Sequence, residues 1–403
     1  MRTIQVVGAG FSGLTTAYYL VKLGCRVRIV DASARVGGML KTIRTSHGLV
    51  ESAANGLRNS GCVEAMCAEI GVPLQGTRRE ARARFIYRDR PRRWPLNFSE
   101  VLRLISGTAA NAGSLRPRSF ETVAGWGQRV IGAGATDYFL APALGGIYAG
   151  DPQALSASLI FRKATLPDEL RISPPSRAKL RGTVVPPAGM QQLIDGLSSY
   201  LRQVGVEFSL NQAARAQLGE VAVVCTSAHA AATYLTDIAP ELSRQLGRIE
   251  MLPLVTATCF YGSQPENLRG FGCLFPRGQG FRSLGVLLNT CIFEGRGPAH
   301  SETWILGGAL DRDVLQLDDN ALQQLIADER QQLYGRHDEA LSVHITRWPE
   351  ALPHYSIELE RVLKTLPSLP RGVGLVGNYL GRIGLTGLVE RAARVAENFS
   401  HNL

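Results

Sequence analysis

The opening of the chain constrains its fold more than any other stretch. Thr3-Ile-Gln-Val-Val7 is short and β-branched, Gly8-Ala-Gly10-Phe-Ser-Gly13 follows at once, and an apolar helical stretch runs to about Leu23 before Gly24. A strand feeding a glycine turn and then a helix is the start of a parallel α/β sheet. The first glycine permits the sharp turn and the second lets backbone approach a pyrophosphate. The third lets helix and strand pack closely, with the helix N-terminus facing the phosphates. A second strand over residues 25–30 ends on Asp31, 18 residues beyond Gly13, where a carboxylate can take both hydroxyls of an adenosine ribose. Gly8, Gly10, Phe11, Ser12, Gly13, Asp31 and Ala32 are thus the candidate dinucleotide contacts.

Residues 3–21 carry no charge and follow Arg2, which imitates a signal peptide or a membrane span. Gly8, Gly10, Ser12 and Gly13 interrupt the apolar run, and it leads straight into the second strand without a cleavage pattern. A cytoplasmic protein is expected. The seven cysteines (25, 62, 67, 225, 259, 273, 291) are unclustered and lack a CxxC, so they predict neither a disulfide framework nor a zinc site. No metal is predicted. At 403 residues, with 45% hydrophobic and 19% charged side chains, the chain is long enough for two or three units. Its composition is neither that of a disordered chain nor that of a polytopic membrane protein.

Forty-four basic residues against 34 acidic give a net charge of +10, and much of the excess is local: eight arginines lie between Arg78 and Arg93. Such a run fits an anionic lipid surface, a polycarboxylate substrate, nucleic acid or a plain solvated loop. Phe85, Ile86, Tyr87, Trp94, Leu96 and Phe98 are interleaved with it and favour a peripheral site on an anionic membrane surface. No nucleic-acid-binding motif accompanies the charge.

After Asp31 comes a second glycine loop, Arg35-Val-Gly37-Gly38-Met39-Leu40. An Arg and a Gly pair right after the ribose acid resemble the extended fingerprint of the flavin-containing amine oxidase and protoporphyrinogen oxidase superfamily. The resemblance implies FAD, with Arg35 offering a fork for phosphate oxygens and Gly37 and Gly38 leaving room for the cofactor. Ala141-Pro-Ala-Leu-Gly-Gly-Ile147-Tyr-Ala-Gly-Asp151-Pro152, Val185-Pro-Pro-Ala-Gly189, Gly270-Phe271-Gly272-Cys-Leu274, Arg347-Trp348-Pro349 and Gly377-Asn378-Tyr379-Leu380 are similar to the protoporphyrinogen oxidase branch. They extend the likeness over nearly the whole chain.

The resemblance implies an α/β fold: a discontinuous Rossmann-like FAD-binding domain (1–75, 184–247 and 366–403), a mostly helical insert (76–183) and a β-sheet substrate domain (248–365). Candidate strands in the last are 255–261 and 284–293. It adds Met39, Leu40, Thr226, Trp348, Gly377, Asn378, Gly384, Leu385 and Thr386 to the cofactor contacts. The last three begin a C-terminal helix whose N-terminus can stabilise a reduced flavin anion. Phe271, Leu274 and Asn55 become substrate contacts. For a substrate propionate, Ser99 stands where some members carry Arg, which leaves Arg103 as the nearest candidate.

The implied reaction is oxidation of a porphyrinogen, protoporphyrinogen IX or coproporphyrinogen III, to the porphyrin in haem biosynthesis. Hydride passes to FAD, oxygen or a quinone accepts the electrons, and no catalytic side chain is required. Arg382, where relatives carry Gly, is expected to crowd the flavin edge. With Ser99 it keeps open the alternative of a related flavin-dependent amine oxidase or desaturase acting on another metabolite.

Overall fold

The computed structural model describes residues 3–161 and 178–402. Five short strands, β1 (Thr3–Val7), β2 (Arg26–Val30), β3 (Glu207–Ser209), β4 (Ala222–Val224) and β5 (Val373–Leu375), form a parallel sheet in the order β3-β2-β1-β4-β5. The strand order reverses between β1 and β4, which opens a crevice at their C-terminal ends. Both faces of the sheet are covered, and the side chains alternate accordingly. Ile4, Val6, Ile29 and Val223 enter one core, while Val7, Ala222, Val224 and Leu375 enter the other.

Helix α1 (Phe11–Lys22) packs on the first face beside the helix Met190–Gln203, whose Met190, Leu193, Ile194, Leu197 and Leu201 recur at helical spacing. The C-terminal helix Leu385–Asn402 docks there too, through Val389, Ala392 and Ala396. On the other face lie the helices Ala228–Leu235 and Pro240–Gly247. The third glycine's expected role is visible here, because a Cβ on Gly13 would stand 1.8 Å from the Gly8 carbonyl oxygen.

The second sheet has seven strands, in the order Ser342–Pro353, Met251–Tyr261, His300–Gly307, Gly285–Leu288, Gly272–Leu274, Phe85–Arg88 and Arg90–Arg92. The last two come from the segment expected to be a mostly helical insert, which therefore also contributes strands to this sheet. Phe85–Arg88 pairs in parallel with Gly272–Leu274 and turns back through Asp89, at φ 61°, into Arg90–Arg92. Pro91 is tolerated because that strand is the edge. The rest of the insert is mostly helical where it is described, with Gly76 and Thr183 at its two ends in short strands; residues 162–177 lie outside the described residues. Of the expected strands, 284–293 is a strand only over Gly285–Leu288 and then turns into the short helix Asn289–Ile292.

Helix Asp319–Tyr334 covers one face of this sheet through Leu322, Ile326 and Leu333, around a buried ion pair. Arg330 Nε donates to Glu302 Oε2 at 3.1 Å, with the two side chains 1% and 0% exposed. Tyr334 Oη and Trp304 Nε1 also donate to Glu302, at 3.1 and 3.2 Å, and the Arg330 guanidinium lies 3.6 Å from the Tyr261 ring centroid. Burial pushes the Glu302 carboxyl up, but the hydrogen bond to His300 and the Arg330 charge outweigh it and hold the group below its ordinary 4.5. Removing one partner strands the other in the core. Arg330→Met is therefore expected to destabilise the fold by about 3–5 kcal/mol at neutral pH in urea denaturation. The carboxylate's contribution is full above about 4.5 and is lost as pH falls, so the difference between variant and wild type should shrink in acid.

Candidate functional site

At the C-terminal end of β1 the backbone turns on Gly8, held at φ 105° with its N–H donating to the Val30 carbonyl at 2.8 Å. A Cβ there would meet the Cys225 carbonyl oxygen at 2.9 Å and the Thr226 methyl at 3.1 Å, so the end of β4 lies against the turn. Helix α1 begins at Phe11 with Gly10 as N-cap. No side chain caps it and its first turn holds no acid. The first-turn N–H groups, including those of Phe11, Ser12 and Gly13, have no partner within the helix and form an anion-binding end. Beneath the turn, burial pushes the Cys225 thiol up to about 12 and keeps it neutral.

The second glycine loop is clamped to the first. Gly37 N–H donates to the Ala9 carbonyl at 2.8 Å, and a Cβ on Gly38 would come 3.1 Å from Gly10 Cα. Asp31 stands beside both, with Oδ2 accepting from Ala9 N–H at 2.5 Å and Oδ1 from Ser33 N–H at 2.7 Å; Ala32 is exposed. Arg35 differs from expectation. Its guanidinium donates to the carbonyls of Val36, Gly38 and Leu40, so it shapes the loop from within rather than presenting an open fork. Leu40 is buried, and Ser52 Oγ donates to the Met39 carbonyl at 2.6 Å. Trp348 Nε1 in turn donates to the Ser52 carbonyl at 2.8 Å, which brings the second sheet to this loop.

Beyond β5, Val376 N–H bonds the Val224 carbonyl, so Gly377 and Asn378 follow at the same end of the sheet; Tyr355 Oη donates to the Asn378 carbonyl at 2.5 Å. Gly384, Leu385 and Thr386 open the C-terminal helix, and Thr386 Oγ1 donates to the Arg58 carbonyl. Arg382 does not extend outward. It folds over Gly387, whose Cβ would lie 2.8 Å from Arg382 Cβ, and pairs with Glu390.

The substrate candidates separate. Phe271 packs on the same core as Phe11, Leu40 and Leu385, while Leu274 faces Gly146 across a gap that a Cβ would close to 2.7 Å. The Asn55 carbonyl accepts from Arg296 at 3.3 Å, and Arg296 is locked to Glu51 at 3.0 Å with both side chains buried. Glu51 also accepts from Thr42 and from Met190 N–H, tying three segments behind the second glycine loop. Arg103 is not with them. It is exposed on the helix Phe98–Ala110, against Gly132 and a groove lined by Gln128 and Arg129.

The cation beside the apolar wall is Arg84, whose guanidinium lies 4.6 Å from the Phe271 ring centroid. Sequence reasoning placed Arg84 in a charge run and missed this contact, because only the parallel pairing of distant strands brings it to Phe271. The run Phe85-Ile86-Tyr87, aromatic and β-branched, is the signal of a strand there.

The packing of Gly13 on the Gly8 carbonyl predicts a steep steric response. Gly13→Ala should yield folded protein with little or no bound flavin, measured as the ratio of visible flavin absorbance to protein, whereas Gly24→Ala should keep it.

Comparison with known proteins places these features. The model of the family described as flavin containing amine oxidoreductase matches residues 11–394. The chain is 24% identical to protoporphyrinogen oxidase 2, chloroplastic/mitochondrial, of Arabidopsis thaliana, over 98% of this chain and 93% of that protein. It is 24% identical to the human protoporphyrinogen oxidase over 76% and 78%. Its fold is similar to that of the cyclohexylamine oxidase of Brevibacterium oxydans, with a TM-score of 0.73, 14% identity and 99% of each chain covered. The family is flavin-containing and its cofactor is FAD. With an uncapped helix end, two bare glycine loops and a carboxylate at the end of β2, the chain belongs to the flavin-containing amine oxidoreductases.

Proposed function

We propose that this oxidoreductase converts a porphyrinogen to the corresponding porphyrin in haem biosynthesis. The observation that carries the reading is Arg84 stacked on Phe271. An aromatic wall continuous with the glycine-loop core, topped by a cation, suits a flat apolar macrocycle with carboxylate arms.

FAD would lie across the crevice. Its pyrophosphate would rest on Gly8, Gly10, Phe11, Ser12 and Gly13, its ribose near Asp31 and Ala32, and its remaining length along Gly37, Gly38, Met39, Leu40 and Thr226. Trp348, Gly377, Asn378, Gly384, Leu385 and Thr386 would close the flavin end. Bound FAD would supply the hydride acceptor for each two-electron oxidation, with oxygen or a quinone as the final acceptor. The chain's own task is then to seat the macrocycle on Phe271 and Leu274, to hold a carboxylate at Arg84 and to keep water from the wall. Residues 1–75, 184–247 and 366–403 would form the FAD unit, and 248–365 with strand Phe85–Arg88 the substrate floor.

A membrane-facing surface accompanies this reading. Helix Phe98–Ala110 buries none of its residues, and Phe98, Leu102 and Ile105 are 84%, 58% and 60% exposed on one stripe, near the exposed Trp94. Among the described residues no helix is long and apolar enough to cross a membrane. A stripe of this kind suits a bilayer surface, with Arg103 on the same helix.

Anaerobic mixing with protoporphyrinogen IX or coproporphyrinogen III is expected to bleach the flavin while a porphyrin Soret band grows. Flavin that stays oxidised with both would reject the function and direct screening to amines. Arg84→Gln should raise KM for the reactive porphyrinogen about five- to tenfold with a smaller change in kcat. The triple variant F98S/L102S/I105S should lose sedimentation with phosphatidylglycerol vesicles while retaining flavin.

A further inference from the structure

Phe271 N–H donates to the Ala83 carbonyl at 2.7 Å, and Gly270 leaves no room for a Cβ, which would stand 2.4 Å from the same oxygen. This clamp brings Arg269 alongside Arg84. The turn Arg79–Arg82, anchored by Arg78 N–H on the Ile292 carbonyl, adds two more guanidiniums, and Arg93 returns from the edge strand to lie 5.8 Å from the Phe85 ring centroid.

Together Arg79, Arg82, Arg84, Arg93 and Arg269 line a groove of about 720 Å³ whose one carboxylate is Glu80. None of the five arginines forms a direct ion pair among the described residues, although the neighbouring Arg78, Arg88 and Arg92 pair with Glu80, Glu100 and Asp89. Of the eight arginines in the sequence run, three are thus paired, four converge on one space with Arg269, and Arg90 does neither. Like charges so gathered repel one another and are relieved by an anion bearing several negative groups. A solvated face needs no such sorting, and a groove of this size is ample for the edge of a macrocycle.

We propose that this groove is a multi-carboxylate subsite beyond the single contact at Arg84, and that the substrate is a tetrapyrrole with more than two carboxylate arms. The inference rests on the porphyrinogen reading above. The macrocycle's apolar face lies on Phe271 while carboxylates reach Arg79, Arg82 and Arg269. Each partly solvated contact adds up to about fivefold in affinity, so a substrate with two more carboxylates gains roughly tenfold.

The test uses the flavin-loaded protein and Soret titration with coproporphyrin III, which carries four propionates, and deuteroporphyrin IX, which carries two. Wild type should bind coproporphyrin about tenfold more tightly at low salt, and the advantage should fall as salt is added. R79Q/R82Q/R269Q should keep its flavin and abolish the difference; if the triple variant loses flavin, the single variants R79Q and R269Q should each reduce the difference. Equal affinities in wild type, or a difference that survives the substitutions, overturn the proposal. So does a variant that leaves phosphatidylglycerol vesicles while the difference persists, because the groove would then serve a lipid headgroup. If both porphyrinogens bleach the flavin with no preference, the subsite falls and the function stands. If neither bleaches it and neither porphyrin binds, both fall.

Discussion

The site depends on one close approach of backbone to backbone. Gly37 N–H reaches the Ala9 carbonyl where Gly38, carrying no side chain, lies so close that a Cβ on it would stand 3.1 Å from Gly10 Cα. A methyl group on Gly38 would press the loops apart, and with them Asp31, whose carboxylate is held by Ala9 N–H, and Arg35, whose guanidinium is spent on the carbonyls of the second loop. The anion-binding end of α1 would survive such a change, but the surface facing it would not. The glycines therefore act less as flexible points than as positions where the chain must be thin.

A second constraint joins the two sheets. Trp348 belongs to the outermost long strand of the seven-stranded sheet, yet its indole N–H ends on Ser52, and Ser52 ends on Met39 in the glycine loop. The buried Glu51–Arg296 pair does the same from the other side, tying the Thr42 hydroxyl, Met190 N–H and the Asn55 carbonyl to one charge pair. A carboxylate taken out of water is tolerated only with its acceptor capacity filled, and Glu51 fills it from three different segments. The relative position of cofactor crevice and substrate wall is thus fixed by polar contacts of defined direction, whereas apolar packing alone would permit slip.

What could be read from the sequence was local. The strand, turn, helix and acid at residues 3–31 specify their own geometry, since each step involves neighbours in the chain, and Gly377 and Leu385 follow from the same kind of pattern. Arg84 could not be read, because its meaning comes from Phe271, which reaches it only through the parallel pairing of Phe85–Arg88 with Gly272–Leu274. Arg103 was misplaced for the converse reason: proximity along the chain to Ser99 suggested a shared site, but the helix it rides on turns it toward Gly132. Arg382 looked like an intruder until its pairing with Glu390, one helical stretch onward, became visible. Arg35 was read in the right loop but in the wrong direction, since a planar fork fits backbone carbonyls as well as phosphate oxygens.

The unequal treatment of the arginines in the 78–93 run bears on how charge works here. Arg88 is consumed by Glu100 with both side chains largely withdrawn from water, 20% and 15% exposed, and also lies over Tyr138 at 3.7 Å; it builds the insert and adds little to any external field. The arginines facing the groove stay hydrated, and at physiological salt their influence fades over about 8 Å. A net charge of +10 spread over a chain this size therefore cannot by itself select a ligand at long range. Selection has to occur at contact, where the clamp between Ala83 and Phe271 sets how closely the guanidiniums of Arg84 and Arg269 can approach one another. If recognition of a polyanion takes place on this face, it is a property of that hydrogen bond and of Gly270 as much as of the arginines.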